Sequence, residues 1–524
     1  MSLLKTPVLF LDLQTTGAKP DTASILEMAW ASLASEHIES SLIEQAEEVP
    51  RRIQFITGIY KKDMEAARPF ASVFSDLKSF IDKNLGANPI AVIHFAQFER
   101  PFLLDAYEKL QEEMPFSILC THEIAKRLFP NLPTRGIKGL AGYFGCPSGE
   151  LKRASNHVQA TQVIWQGLTA ALSEKGIHSI EDLQKWLQDT PKAARVKYEY
   201  PLPKEKRLSL PKQPGVYRMM SRWGEVLYVG KATSLHDRVN SYFRGQKNRD
   251  TRKLEMLTQV WDLHVTPVGS PLEAALLETD EIKRLDPPYN ISLKTGRREL
   301  AFFSRDFTSF QTEADENHCI GPFSNALALD SILKLSASLQ DKSFNENMFY
   351  EPIDATLLEQ GFDLFCERHG FSKDAFTSVR SILAVGLNWY RQLEEEEETE
   401  DLEEVEASET SESNESTPEE SEEEILEVEL TPEDLADKYE RHFIRSAATY
   451  LRTKRLTKLL NVHIQIEETM TLKIQNGKVV EPEAPLIKQR GSWKDLSIDT
   501  YDRMTVLFTE LNKLKNQDRK IDFI

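Results

Sequence analysis

Cysteine is scarce in this chain. Its 524 residues hold four, Cys120, Cys146, Cys319 and Cys366, widely scattered and with no CxxC pair. That pattern argues against zinc or an iron–sulfur cluster and reads as reduced thiols. Long hydrophobic runs are also missing: no stretch of about 18 uncharged apolar residues occurs, so no membrane span is expected. The opening MSLLKTPVLFLDLQTTG has a single lysine and reads as a first β-strand. A secretory leader would need an apolar helical region and a small-residue cleavage site. A cytoplasmic protein with no membrane partner is the expectation. Basic residues are absent from residues 394–430, which contain 20 Asp and Glu. That segment accounts for the formal net charge of −19, because the rest of the chain has 63 acidic against 64 basic residues. Too charged and too poor in apolar residues to bury a core, it is expected to be a disordered acidic linker.

What is present is enough for several cores. Hydrophobic content is 40%, and a chain of this length predicts about three domains. Over residues 1–180, strand-like runs (PVLFLDL, NPIAVIHF) alternate with helical spacing (FASVFSDLKSFIDKNL, HSIEDLQKWLQ), an α/β layout. Residues 181–210 carry many lysines and prolines and read as a linker. A compact α+β unit is expected over 211–298, a mostly helical region over 299–393, and a small α+β domain over 431–524 with a hairpin turning at Asn476-Gly477. The fold class is thus α/β and α+β, multidomain. Basic charge gathers near the start of the compact unit: residues 204–253 hold 13 Lys/Arg against 4 Asp/Glu. Such an excess suits a surface that follows a phosphate backbone, and a solvated face would read the same.

Between Pro214 and Asn290 several signals converge. PGVYRMM and EVLYVG are short strands joined by the turn Ser-Arg-Trp-Gly, and they carry Tyr217 and Tyr228. Lys231 follows, then a helix with Ser234 as N-cap on which Arg238 and Tyr242 share a face. A second helix opens with the capping box Ser270-Pro271-Leu272-Glu273. On it Ala275, Glu278, Ile282 and Leu285 form one stripe in which only Glu278 is charged. A carboxylate inside a buried stripe needs a partner such as a metal ion or an arginine. A glutamate at the stripe's edge would instead reach solvent.

The segment from PGVYRM through EVLYVGKATSLHDRVNSYF to LEAALLETDEIKRLDPPYNISL closely resembles the GIY-YIG nuclease domain of the bacterial excision-repair protein UvrC and its short relative Cho. Seven functional positions match in order: Tyr217, Tyr228, Lys231, Arg238, Tyr242, Glu278 and Asn290. The resemblance implies hydrolysis of a DNA phosphodiester with one divalent ion, Mg²⁺ or Mn²⁺, held by Glu278. The residue types suit that chemistry. A carboxylate is a hard ligand for such a cation, and the Arg238 fork can brace developing phosphate charge. Tyr217 or Tyr228 could act as general base if a nearby cation, Lys231 above all, lowers its pKa. Asn290 reads as fixing loop geometry, and Tyr242 as touching the attacking water or packing. Downstream, Cys319-Ile320-Gly321-Pro322-Phe323 resembles the segment that follows this domain in UvrC. The cysteine cluster, ribonuclease-H-like half and tandem helix-hairpin-helix elements of UvrC have no counterpart, which leaves equipment for one incision.

Residues 7–172 resemble the DEDDh exonuclease domain of the DnaQ-like proofreading family, through FLDLQTTG, HFAQFERPFL, EIAKRLFPNLP and KRASNHVQAT. The resemblance implies an RNase H-like fold in which four carboxylates hold two metal ions beside a histidine base. Asp12 alone is kept. Gln14 stands at the second carboxylate, Glu99 at an aspartate, Lys152 at the histidine and His157 at the final aspartate. An alternative alignment makes His157 the base and places Gln162 at the aspartate. Neither set holds two metals, so this domain is expected not to cut; it would grip a DNA strand or a protein partner, or be a structural relic. The whole chain then reads as a metal-dependent DNA endonuclease, with DNA as its partner and excision-repair subunits as candidates. A nuclease for branched or fork DNA, a non-catalytic DNA-binding scaffold and a 3′–5′ exonuclease are the competing readings.

Overall fold

The structure is a computed structural model that describes residues 3–523 except 4–5, 36, 147–150, 189–197, 245–249, 292–298, 350–351, 397–429, 467–469, 481–490, 495 and 518. Two compact units divide the chain, Met1–Lys294 and Thr295–Ile524. Among the described residues no helix is long and apolar enough to cross a membrane.

The first unit opens with β1 (Leu9–Thr15), β2 (Ile25–Ser32), β3 (Glu39–Leu42), α1 (Arg51–Thr57), α2 (Phe70–Asn84), β4 (Ile90–Ile93), α3 (Glu99–Lys109) and β5 (Ser117–Cys120). The sheet order is β3-β2-β1-β4-β5, with β1 antiparallel to β2 and parallel to β4. α4 (Thr121–Leu128), α5 (Ile137–Phe144) and α6 (Ala154–Glu174) complete it. β1 and β2 are apolar along both faces because both are covered. Leu11, Phe74 and Leu77 belong to the core on one side, Phe10, Ile124 and Trp165 to the core on the other. This is the RNase H-like arrangement that the sequence implied.

The stretch 181–210, read as a linker, carries structure. α7 (Ile180–Gln188) buries Leu183 and packs Trp186 on the core of Phe10, Ile124 and Trp165, so apolar helical spacing overrides the Lys/Pro-rich composition around it. α8 (Lys204–Leu208) follows, and Arg207 donates to Asn240 Oδ1 at 2.6 Å. Then come β6 (Gly215–Met220), β7 (Val226–Ala232), α9 (Leu235–Ser241), α10 (Thr251–Gln259), β8 (Asp262–Pro267) and α11 (Pro271–Leu285). Their sheet has the order β7-β6-β8, antiparallel throughout.

Residues 299–393 are mostly helical and add a small sheet of β9 (Ala301–Ser304), β10 (Phe310–Gln311) and β11 (His318–Phe323). One expectation is corrected, because 299–393 and 431–524 do not have separate cores. The helix Pro432–Leu459 buries Leu435, Ala436, Tyr439 and Phe443 in one core with Phe362, Phe365 and Phe376. That apolar stripe finds its partner across the acidic segment. Most of the 394–430 linker lies outside the described residues, and its first three residues close the helix Val379–Glu396. At the hairpin, Asn476 and Gly477 have φ of 48° and 72°, the left-handed pair that a tight two-residue turn demands.

Candidate active site

The seven GIY-YIG positions gather around one edge of the small sheet. Tyr217 on β6 is sealed from solvent, and its hydroxyl lies 3.0 Å from that of Tyr242, which caps α9. Tyr228 on β7 completes a triangle of rings, with centroid separations of 6.1, 6.2 and 6.3 Å. Arg238, one helical turn before Tyr242, stands 5.5 Å from the centre of its ring. Ser234 caps α9 and Ser270 caps α11, as their positions before each helix suggest.

Glu278 is half-buried, and its Oε1 accepts the backbone N–H of Lys231 at 2.9 Å. It is not the fully buried charge of its helix. That is Glu281, one turn on, which is ion-paired with Arg218 of β6. Glu278 therefore sits at the edge of the stripe, and the sequence argument from a buried charge describes its neighbour better. Asn290 grips the middle of β7 from both sides: its Oδ1 accepts from Val229 N at 3.0 Å, and its Nδ2 donates to Val229 O at 2.9 Å. The clamp lies between Tyr228 and Gly230 and so fixes the strand that carries Tyr228 and Lys231.

Both strand tyrosines are held above the ordinary phenol range. Burial is the main cause for each; Tyr242 adds to both, and the negative charge of Glu278 adds to Tyr228. The Arg238 guanidinium pulls the other way without reversing either shift. Among the protein's own groups burial outweighs positive charge at both tyrosines, so lowering either hydroxyl needs a further cation.

As a cation site, the donor set is one carboxylate oriented by a backbone N–H, with hydroxyl groups beside it. Among the described residues no group of three or more His, Cys, Asp or Glu side chains is arranged to hold a metal. One carboxylate suits Mg²⁺, which keeps several of its waters and does not require an all-protein cage.

A second polar cluster lies at the end of β1 in the exonuclease-like fold. Asp12 Oδ1 is 3.2 Å from His157 Nδ1, and Gln14 Nε2 donates to Asp12 Oδ2 at 3.2 Å. His157 also places Nε2 3.1 Å from the carbonyl of Leu151. Burial disfavours its imidazolium, but the charge and hydrogen bond of Asp12 overcome this and raise its pKa. Glu99, at the start of α3, is buried with Oε2 unpartnered. Burial and then the nearby Asp12 push its carboxyl well above the usual range. Lys152 packs beside Gly58, which caps α1, and it is His157 that meets Asp12.

Three groups here went unnoticed in the sequence. Glu27 on β2, paired with Gln14 across the strands and only 1% exposed, takes a bidentate grip from Arg153. A lone glutamate in the apolar run ILEMAWAS was the available signal. Glu281 was visible as a second acid on the α11 stripe. His94, which burial and the adjacent His122 and His157 push down to about 3, had none.

Known proteins match these two regions separately. Residues 9–150 match an exonuclease family model, and residues 213–291 match the model of the UvrC-like GIY-YIG domain. A bifunctional exonuclease/endonuclease protein of Mycobacterium tuberculosis is 28% identical over 55% of this chain and 45% of its own length. UvrABC system protein C of Pelodictyon phaeoclathratiforme is 38% identical over 26% of this chain and 22% of its own length. The chain thus spans less than half the length of these relatives. The N-terminal GIY-YIG endonuclease domain of UvrC from Thermotoga maritima, solved with magnesium as its catalytic cation, is 31% identical, with a TM-score of 0.16; the match covers 17% of this chain and 94% of that domain. This chain joins an exonuclease-type domain to a UvrC-like GIY-YIG domain.

Proposed function

We propose that this protein is a metal-dependent DNA endonuclease that makes a single-strand incision, in the manner of UvrC, during excision repair. The observation that carries the reading is the Glu278 carboxylate. It is half-exposed and fixed by the Lys231 N–H, beside three tyrosines and Arg238. A divalent cation held by Glu278, Mg²⁺ or Mn²⁺, supplies charge neutralisation at the scissile phosphate. Arg238 braces the phosphate oxygens with its fork of donors. Tyr228, once its own hydroxyl proton has passed to solvent, accepts the proton of the attacking water as the phenolate. It is half-exposed and feels Glu278, whereas Tyr217 is sealed and instead pairs with Tyr242. Offsetting the Glu278 charge removes one of the causes that hold the Tyr228 hydroxyl up. Lys231 positions Glu278 through its backbone, and Asn290 positions β7.

In the same reading the exonuclease-type domain does not cut. His157 and Gln14 engage Asp12, and Arg153 engages Glu27. His157 and Gln14 thus stand against Asp12 at the positions where the family pattern has carboxylates. The test incubates the protein with Mg²⁺ or Mn²⁺ on end-labelled intact, lesion-bearing and branched duplexes. Discrete internal cuts on the lesion-bearing duplex are expected. Cuts confined to branched DNA would replace repair incision with a structure-specific nuclease, and a ladder of single-nucleotide removal would reassign the activity to the first domain.

A further inference from the structure

The exonuclease-type and GIY-YIG domains meet where α5 crosses α10. α5 has two glycines three residues apart, Gly139 and Gly142, both buried. Glycine inside a helix costs about 1 kcal/mol relative to alanine, so two on one face need a reason. A Cβ on Gly139 would lie 3.6 Å from the Glu255 Cα of α10 and strike Thr134, and one on Gly142 would fall inside the Gln259 carboxamide. The absence of side chains lets Gln259, itself 1% exposed, seat against the helix. Around it Thr134 N donates to Thr258 Oγ1 at 3.3 Å, and Tyr143 packs on Trp261 with centroids 5.4 Å apart.

Gln259 does not end the contact. Its Nε2 donates to the Tyr289 hydroxyl at 2.5 Å and to Glu255 O at 3.0 Å. Tyr289 is buried, sits under Lys138 of α5 at 5.3 Å, and donates its backbone N–H to Leu227 O on β7. The next residue is Asn290, whose side chain clamps Val229. An unbroken set of contacts thus runs from the glycine face of α5 through Gln259 and Tyr289 to the strand that carries Tyr228 and Lys231.

We propose that the exonuclease-type domain is a positioning element of the nuclease site: α5 seats Gln259, and Gln259 holds Tyr289 and Asn290 so that β7 keeps its place. This rests on reading residues 211–298 as the nuclease. Gly142, Gln259 and Tyr289 are positioning residues that touch no reacting atom.

The test compares full-length Gly142→Ala, Gln259→Leu and Tyr289→Phe with the parent. Three quantities are measured: single-turnover cleavage with Mg²⁺, DNA affinity without metal, and hydrogen exchange of the peptide that contains Val229. Each variant is expected to cleave about tenfold to a hundredfold more slowly, to bind DNA as the parent does, and to exchange the Val229 amide faster. Gly142→Ala combined with Tyr289→Phe should be no slower than the worse of the two, since both act through one hydrogen bond. Unchanged exchange at Val229, or rate losses that multiply, would overturn the proposal. If Gly142→Ala does not fold, Gln259→Leu carries the test, because it keeps the packed volume and removes the carboxamide that holds Tyr289. If the parent cuts no DNA, the nuclease reading fails, while the exchange measurement still decides whether α5 holds β7.

Discussion

At Glu278 the carboxylate is half-exposed and accepts one backbone N–H, whereas at Asp12 and Glu99 the carboxylates are buried and a histidine sits on the first. Both clusters lie in one compact unit and both resemble nuclease sites, yet they treat charge in opposite ways. Near Glu278 the tyrosines are neutral, and the nearest stacked cation, Arg238, lies over Tyr242. Around Asp12, burial raises the carboxyls of both Asp12 and Glu99, His157 lies against Asp12, and Arg153 holds Glu27. A carboxylate that holds a divalent ion must stay charged, and burial works against that at Asp12 and Glu99, whereas Glu278 is half-exposed.

The largest expected effect tests the comparison directly. Glu278→Gln should lower single-turnover cleavage by about 10³-fold and Arg238→Ala by about 10²-fold, the range for removing a principal electrostatic stabiliser. Asp12→Asn should leave the rate at that of the parent. Loss of cleavage in Asp12→Asn with retention in Glu278→Gln would invert the comparison.

Next in size is Arg153→Met, which leaves Glu27 buried without its guanidinium. Urea unfolding should report a loss of about 3 kcal/mol in the first unit, the usual cost of stranding a buried charge. Pairing it with Glu27→Met should recover most of that loss, because the two apolar chains can pack together. A double variant as unstable as the single one would mean that Arg153 supports this site through packing alone.

Much of this was legible in the chain, for reasons tied to particular residues. Continuous apolar runs marked β1 and β4, and capping residues marked α9 and α11. The seven GIY-YIG positions could be listed because the segment resembles a known nuclease domain, although Tyr242 only caps α9 and Asn290 lies outside any helix or strand. What could not be read depended on distant partners. β8 alternates too weakly to stand out, and its place is fixed by pairing with β6. Glu281 and Glu27 stand in apolar surroundings in the sequence, but their partners Arg218 and Arg153 come from distant positions in the chain. The balance of causes at the tyrosines was hidden, because positive charge is visible in a sequence and burial is not. The shared core of the second unit was hidden by 37 residues of acidic composition between its halves.

A smaller effect would convert one region toward the other. Gln14→Glu with His157→Asp replaces the groups around Asp12 with carboxylates. Without metal this variant should be less stable than the parent, since like charges are crowded together. Saturating Mn²⁺ should return about 2.7 kcal/mol at a hundred times its dissociation constant, a gain read as a rise in Tm beyond the parent's own response through Glu278. Equal Mn²⁺ responses in the two proteins would show that His157 and Gln14 are not what keeps cations away.

The smallest expected effect concerns Glu99, and its sign follows from linkage. The folded carboxyl has its pKa raised above that of the unfolded chain, first by burial and then by Asp12. The folded state therefore holds this proton more tightly than the unfolded state, and stability falls as pH rises above the ordinary glutamate value of about 4.3. Glu99→Gln keeps the shape and removes the ionisation. It should match the parent near pH 4, where Glu99 is protonated in both states. As pH rises toward neutrality it should become the more stable protein, by an amount on the order of 1–3 kcal/mol, the cost of one unsatisfied buried polar group. Paired thermal melts from pH 4 to pH 8 would trace the widening gap. A constant difference across that range would mean that Glu99 keeps its proton, or its charge, equally in both states, and that its buried oxygen carries no burden that Asp12 and its surroundings impose.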